Sequence, residues 1–599
     1  MTSKRTRLAS VCAGTALAAI ALAACSSSGG GGTSKSSGGT SSSSSTGKTG
    51  GGPTTSKKGG TIYYTNGVRD VEHWDPQRVY IGRDIANESR LWNRTLEQYG
   101  TGAGASSNQV HPDLATDTGT ASNDNKTWKF TLKTGVKWQD GSPVTCADVK
   151  YGVSRTFAQD IITGGPSYAL QFLNIPATPN DKTFATAYHG PYTNVGGAYY
   201  DKAVTCSGQT ITFNLKKSVP DFNYTVTLPA FAPFKKSQDK GAKSNYQCFS
   251  DGPYELQGTW TAGKGGTFVR NPNYDPKTDD ATIRRALPDK FVFIEGLQTE
   301  TVFDRLLADQ GPDQYLVTDR TAPPAYLARV SAQKSRFTDP VSPFNDYLTP
   351  NFTRLKNPLI RQALAVSTDR NAWILAEGGA EVADPATGLV NPQLGAAGGY
   401  KKFAAFPGTP DSGDPAAAKK LLQQAGVKIP YPIHFTYSGG TPTSDKQASV
   451  LAAAWNKAGF KVTLQGLTNT YYDIVQNPAN ASKYDITWAG WGADWPSAST
   501  VIPPLFDSRV NLSSASNGSD YGLYKSDYVN AQIDKAYATA DATARNAIWA
   551  SLDEYLAKQV AYIPLDVIKF PRLHGSKVGN YVESASTNGY PDLGQLGAL

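Results

Sequence analysis

Strand-like and helix-like segments alternate along this 599-residue chain, which predicts α/β lobes built on layered sheets. Three observations carry the prediction. Short stretches alternate apolar and polar residues with the period of a half-buried strand. Between them, apolar residues recur every three or four positions behind residues that cap helices. The folded part is also too long for one ordinary core, so two or three domains are expected.

The N-terminus comes first. Lys4, Arg5 and Arg7 precede an uncharged run from Leu8 to Ala24 that is mostly Ala, Leu, Val and Ile, and Leu22-Ala23-Ala24-Cys25 closes it. This pattern looks like a bacterial lipoprotein signal, so residues 1–24 are expected to be removed and Cys25 acylated. The run is short and Ala-rich for a permanent span, which needs about 20 strongly apolar residues. No comparable run follows. Residues Ser26 to Gly60 are almost entirely Ser, Gly, Thr and Lys. They cannot bury a core, so the stretch 25–60 is expected to be a disordered tether with a reach of roughly 30 to 35 Å.

The folded part begins near residue 61. Trp128-Lys-Phe130-Thr-Leu132 alternates as a strand, and Asp140-Gly141-Ser142-Pro143 reads as a turn. Thr145 and Asp148 have capping-box spacing, and Val149, Val153 and Phe157 put an apolar stripe on the helix behind them. Ile211-Thr-Phe213-Asn-Leu215 is a second alternating strand. Phe291 to Ile294 is a continuous apolar run, which predicts a strand buried on both faces. Asn357-Pro358 and Asp414-Pro415 each place a capping side chain before a proline at the first helical position. Ile548, Leu552, Tyr555 and Leu556 mark a late amphipathic helix. Residues 163–204, rich in Gly, Pro, Tyr and Asn, read as a surface excursion.

Charge and cysteine content narrow the function. The formal charge of +8 falls to +5 when the three basic residues of the signal leave, and acids and bases are interspersed, so nucleic acid is not implied. Cys146, Cys206 and Cys248 remain in the exported chain. An odd set predicts one disulfide and one free thiol. Cys206–Cys248 is the expected pair, because Cys146 opens a helix and is packed by its neighbours; three buried thiols are the alternative. No Cys/His spacing suggests zinc, no metal site or cofactor is expected, and the five histidines are scattered. No Gly-x-Ser-x-Gly, His-Glu-x-x-His or phosphate-binding loop is present. The chain is therefore not expected to be an enzyme. A secreted hydrolase working with a carboxylate pair is the rival of another class.

Five segments, in order, carry a resemblance to a known family. They are Trp128 to Val149, with Trp138-Gln-Asp-Gly141; Asp251-Gly-Pro-Tyr254 with Arg270-Asn-Pro-Asn-Tyr274; Tyr347 to Asn351 with Arg361, Asp369 and Arg370; Asp414-Pro415 to Gly426; and Tyr484-Asp485 to Gly490-Trp491-Gly492-Ala493-Asp494-Trp495. Together they resemble the extracellular solute-binding proteins of family 5, the oligopeptide, dipeptide and nickel receptors of ABC importers. The resemblance implies an α/β fold of the periplasmic-binding-protein-like class II, with two lobes, a hinge and an additional smaller domain. It places lobe I in 61–100, 250–340 and 571–599, the smaller domain in 101–249, and lobe II in 341–570.

The resemblance also implies a site. In peptide-binding members an Asp of the Gly-Trp-x-x-Asp segment pairs with the peptide's α-ammonium, and Gly490, Trp491 and Asp494 match that segment. Read alone, an Asp before Trp-Pro is usually a turn residue. Trp488, Trp491 and Trp495 crowd the same loop, either as core or as aromatic lining of a ligand pocket. Arg361, Asp369 and Arg370 are expected to pair around a helix end. The expected ligand is an oligopeptide or dipeptide, with an oligosaccharide as runner-up and nickel less favoured. The expected partners are ABC permease subunits and, through lipid on Cys25, the outer face of the cell membrane; a monomer is expected.

Overall fold

A computed structural model of the chain describes residues 48, 50, 53–66, 70–101, 107–178, 181, 183–468, 470–512 and 516–599. The signal segment and Cys25 lie outside the described residues.

Two large sheets organise the body. The first has five strands in the order Leu316–Thr318, Thr61–Thr65, Lys290–Ile294, Gly265–Arg270, Tyr254–Thr261. Its first three strands run parallel and the others antiparallel. Phe291 and Phe293 are buried, whereas Val292 and Ile294 are only half-buried. The run is thus covered mainly on one face, because alternate residues of a strand point to opposite sides. That face packs on Trp74, whose ring meets Trp260, Phe268 and Phe293 edge-on at 5.3, 5.9 and 6.1 Å.

The second sheet has six strands in the order Ala383–Pro385, Ile563–Lys569, Val341–Pro350, Ile486–Gly492, Tyr431–Ser438, Phe460–Leu467. Helices cover both faces. Leu364, Leu422 and Trp455 pack under Phe435 and Ile486 on one side. Phe506, Trp549, Leu552 and Leu556 pack under Tyr347 and Ala489 on the other. The caps are where the sequence puts them: Asn357 Oδ1 accepts from Leu359 N at 3.0 Å, and Asp414 Oδ1 from Ala417 N at 2.9 Å. Asp369 caps the helix Arg370–Glu377 through Ala372 N at 2.8 Å, and Arg370 pairs with Asp411. Arg361 does not join that pair; it donates to the carbonyls of Leu355 and Lys356.

The chain crosses between these sheets twice. It leaves through Phe337–Thr338 and returns through Arg572–Leu573, and the two crossings pair side by side, Phe337 opposite Leu573 and Thr338 opposite Arg572. The buried Arg572 donates to Glu583 Oε1 at 2.9 Å and to the Asp319 carbonyl at 3.0 Å. Two lobes joined by a paired double crossing make the two-lobe α/β architecture that the resemblance implies.

A third, four-stranded sheet has the order Thr120–Ser122, Thr127–Thr131, Thr210–Asn214, Val204–Ser207. Trp128, Phe130, Ile211 and Phe213 alternate inward, and Val149 and Val153 of the helix Cys146–Arg155 share their core. The capping box forms as its spacing requires: Thr145 N donates to Asp148 Oδ2 at 2.9 Å and Asp148 N to Thr145 Oγ1 at 3.4 Å.

Three expectations are corrected. The disulfide joins Cys146 to Cys206, with Cα atoms 6.0 Å apart, and Cys248 is the free, buried thiol. Cys146 does open a helix, but that helix belongs to the same small core as the strand Val204–Ser207, while Cys248 sits in the core of the first lobe with Trp74, Trp92 and Tyr254. The tether is also bound before residue 61. Asn580 N donates to the Pro53 carbonyl at 3.0 Å, Asn580 Nδ2 to the Thr55 carbonyl at 2.7 Å, and Gly59 N to the Leu287 carbonyl at 2.9 Å. Hydrogen bonds to its backbone dock the segment 53–60, in which Pro53 is the one apolar side chain. Finally, the excursion 163–204 is more than surface. Tyr188 stacks on Tyr200 at 4.7 Å beside Phe157, and all three are buried.

Candidate functional site

The strand Ile486–Gly492 runs through the middle of the second sheet, and the loop beyond it carries Asp494 out to the facing lobe. Glycine is needed on the way. A Cβ at Gly492 would lie 2.6 Å from the Phe344 ring, and one at Gly490 would lie 2.9 Å from Asp346 Oδ1. Trp491 Nε1 donates to the Thr500 carbonyl at 2.9 Å, and Asp494 N to Thr500 Oγ1 at 3.2 Å, which pins the loop.

Three parts of the chain meet at Asp494. The Tyr80 hydroxyl, just ahead of the helix Gly82–Leu91, donates to Asp494 Oδ2 at 3.0 Å. The hydroxyl of Tyr168, first residue of the helix Tyr168–Phe172, donates to the same oxygen. Burial pushes the Asp494 carboxyl up to about 6, against the two tyrosine hydroxyls, which act to lower it. Burial, followed by the Asp494 charge, also pushes the Tyr168 hydroxyl well above its ordinary value.

Next to this junction is a cavity of about 260 Å³ between the lobes. The helix Gly82–Leu91 supplies Ile85, Ala86 and Ser89; Gln98, Tyr99 and Asn588 add polar groups; Phe344 and Trp491 come from the second sheet. Among the described residues Asp494 is the only carboxylate in the lining, and no Lys, Arg or His is part of it. Such a cavity accepts a positively charged group and offers an anion no counter-charge.

The three tryptophans separate. Trp491 lines the cavity. Trp495 is buried against Tyr168, with ring centroids 4.7 Å apart, and its Nε1 donates to Asp221 Oδ2 at 2.9 Å; Ser499 Oγ donates to the same oxygen at 2.6 Å. Trp488 stays in the second lobe, against Tyr471 at 6.0 Å, and is absent from the cavity lining. Sequence reasoning missed Tyr80, Tyr168 and Asp221. Tyr168 falls in the Tyr-rich excursion, which is the only signal that pointed to it; Tyr80 and Asp221 have no local pattern that marks them.

Among the described residues no helix is long and apolar enough to cross a membrane. Residues 109–512 match the family described as bacterial extracellular solute-binding proteins, family 5, middle. The periplasmic oligopeptide-binding protein OppA of Haemophilus influenzae is 26% identical over 474 residues, covering 76% of this chain and 80% of that protein. The probable deoxycholate-binding periplasmic protein YgiS of Escherichia coli is 25% identical over 463 residues, covering 74% and 77%. Among solved structures, clavulanic acid biosynthesis oligopeptide binding protein 2 superposes with a TM-score of 0.81 at 26% identity, over 92% of this chain and 99% of that one.

Proposed function

The chain belongs to the bacterial extracellular solute-binding proteins of family 5, and we propose that it captures peptides, oligopeptides first and dipeptides next, for an ABC importer. Members of this family are substrate carriers rather than enzymes. One observation carries the ligand class: among the described residues Asp494 is a lone carboxylate in a cavity lined by no basic side chain. A peptide's α-ammonium fits it. A carboxylate-bearing sterol such as the one named for YgiS does not. The cavity, about 260 Å³, falls just below the roughly 300–1,000 Å³ usual for ligand pockets, so it takes the first residues of a peptide.

In this reading Trp491 covers the ligand, Trp495 seals the junction, and closure about the paired crossings brings Tyr80 and Tyr168 onto Asp494. Ligand favours the closed form only by its differential affinity for closed over open. The permease receives the closed form, and lipid on Cys25 keeps the monomer at the outer face of the membrane. Protein purified from its own host is expected to carry a peptide in native mass spectrometry, and calorimetry is expected to give one peptide per chain without turnover. A co-purified sugar, or turnover of labelled peptides or glycans, refutes the reading.

Closure has its own test. Asp221 Oδ2 accepts from both Trp495 and Ser499, so Asp221→Ala leaves two buried donors unpaired on the closed side. Losing about 1.5 kcal/mol from these charge-assisted bonds weakens peptide affinity about tenfold. Calorimetry on the variant checks this; an unchanged Kd sinks the closing role of Asp221.

A further inference from the structure

Residues before Phe337 and after Leu573 lie on one side of the paired crossings, and residues 339–571 lie on the other. The third sheet enters the chain between two strands of the first sheet, so it belongs to the first side. Its core nevertheless reaches across. Trp495, from the second side, is a buried member of the cluster that holds Phe130, Phe172 and Phe213. Hydrogen bonds follow the same path. Asn108 Nδ2 donates to the Gln393 carbonyl at 3.0 Å, the Tyr168 hydroxyl donates to Asp494, and Asp221 accepts from Trp495 and Ser499.

One further crossing contact is of another kind. Lys217 follows the strand Thr210–Asn214. Its ammonium lies 4.6 Å from the centre of the Tyr537 ring, which the helix Asp527–Ala538 of the second side carries, and 5.2 Å from that of Phe172 on its own side. Both ends are held. Lys216 N donates to the Phe172 carbonyl at 2.9 Å and Lys216 Nζ to the Leu170 carbonyl at 3.0 Å, which fixes the chain beneath Lys217. The Tyr537 ring meets the buried Trp549 edge-on at 5.7 Å. Burial lowers the Lys217 ammonium from its ordinary value, while the charges of Asp507 and Asp534 act to raise it. Those two carboxylates are themselves engaged by Arg509, at 2.9 and 2.7 Å. A ring face attracts a cation, and more strongly once water is displaced. Between two rings of one rigid body this would be plain packing. Here the rings sit on opposite sides of the crossings, so parting the lobes takes Tyr537 away and leaves Lys217 with Phe172 alone.

We propose that Lys217 is a latch: its ammonium, clasped between Phe172 and Tyr537, holds the second lobe against the body of the third sheet in the closed form. This rests on the closure in the proposed function and not on its ligand. Lys217 is absent from the cavity lining, so it is a positioning residue that acts through the closed state. The inserted third sheet thereby has a task of its own, as the carrier of the clasp.

The test is the separation between nitroxide labels at Tyr199→Cys on the first side and Tyr528→Cys on the second, both exposed positions, read by electron–electron resonance with no ligand added. Cys146 and Cys206 are bonded and Cys248 is buried, so the new cysteines take the labels. The labelled but otherwise unchanged protein is expected to show a closed and an open separation. Lys217→Met keeps the apolar stem and drops the charge, and is expected to lower the closed-to-open ratio about three- to tenfold. Tyr537→Leu is expected to do the same, and the two together no more than either alone. Lys217→Arg keeps a cation and is expected to stay within about twofold of the unchanged protein. An unchanged ratio in Lys217→Met, a further loss when Tyr537→Leu is added to it, or no closed population at all overturns the latch; Lys217→Gln gives the same reading should Lys217→Met fail to fold. Trialanine that fails to bind overturns the peptide reading and leaves these separations as they are.

Discussion

Asp494→Ala is expected to weaken trialanine binding by roughly 3–4 kcal/mol, on the order of 100- to 1,000-fold, because among the described residues it removes the one charge in the cavity wall that the proposed function gives to the ligand's ammonium. The carboxylate lies between lobes, fixed by Thr500 on its own loop and by Tyr80 and Tyr168 from outside it. In the proposed reading it would therefore meet the ligand already oriented. N-acetyl-trialanine on wild-type protein is expected to lose the same energy, since it lacks the cation. Acetylation and Asp494→Ala together are expected to cost little more than either alone, as two changes to one interaction do. Additive losses would show that the carboxylate and the amine act separately.

The acidity of Asp494 gives the same prediction a pH signature. Burial pushes its carboxyl up to about 6, and the ammonium needs the charged form. Affinity is expected to be flat just above that value and to fall about tenfold per unit below it, until the ligand-bound form also protonates. Above about pH 8 the peptide's own amine loses its proton and affinity falls again. Asp494→Asn is expected to abolish the acid limb and leave the alkaline one weak. Calorimetry from pH 4.5 to 9 reads both limbs, and an acid limb that survives in Asp494→Asn assigns it to another group.

What the sequence made legible was local. Thr145 and Asp148, Asn357-Pro358 and Asp414-Pro415 specify helix starts through side chains that satisfy backbone donors within four residues. The strands at Trp128 and Ile211 show in their own alternation. The site depends on contacts that no local pattern encodes. Tyr80 and Tyr168 reach Asp494 across 414 and 326 residues of chain, and either could have been read as surface or core. Cysteine pairing failed for the same reason. Whether Cys206 faces Cys146 or Cys248 depends on which core each enters, and spacing carries no information about that. The family motif pointed to Asp494 and Trp491, which the structure puts in the cavity wall, because it marks a position in the fold rather than a pattern in the chain.

The largest effect on stability is expected away from the cavity, at Asp113. Its carboxylate sits between two guanidiniums: Arg94 Nε at 2.8 Å from Oδ1 and Arg284 Nη2 at 2.6 Å from Oδ2, all three side chains fully buried. Arg284 also pairs with Asp279 at 2.9 Å, and Arg94 Nη2 donates to the carbonyls of Asp113 and Thr278, each at 2.8 Å. The cluster anchors the strand pair Glu97–Tyr99 and Val110–Pro112, which carries Tyr99 to the cavity wall. Asp113→Ala leaves the buried Arg94 and Arg284 to share Asp279, at 3.8 and 2.9 Å, a loss of roughly 3–5 kcal/mol. In a unit of 150–250 residues that lowers the melting temperature by about 10 °C. The pH dependence has a definite sign. Burial acts to raise the Asp113 carboxyl, but Arg284 and Arg94 outweigh it and hold the group well below its ordinary value. A depressed carboxyl contributes fully above its unfolded value near 4 and loses that contribution as pH falls toward its folded one. Wild-type and Asp113→Ala melting curves, measured by calorimetry, are therefore expected to lie furthest apart from pH 5 to 7 and to converge below pH 4. A constant gap down to pH 3 would place the loss in packing rather than charge, and no gap at pH 7 would mean that desolvation of the three ions cancels their attraction.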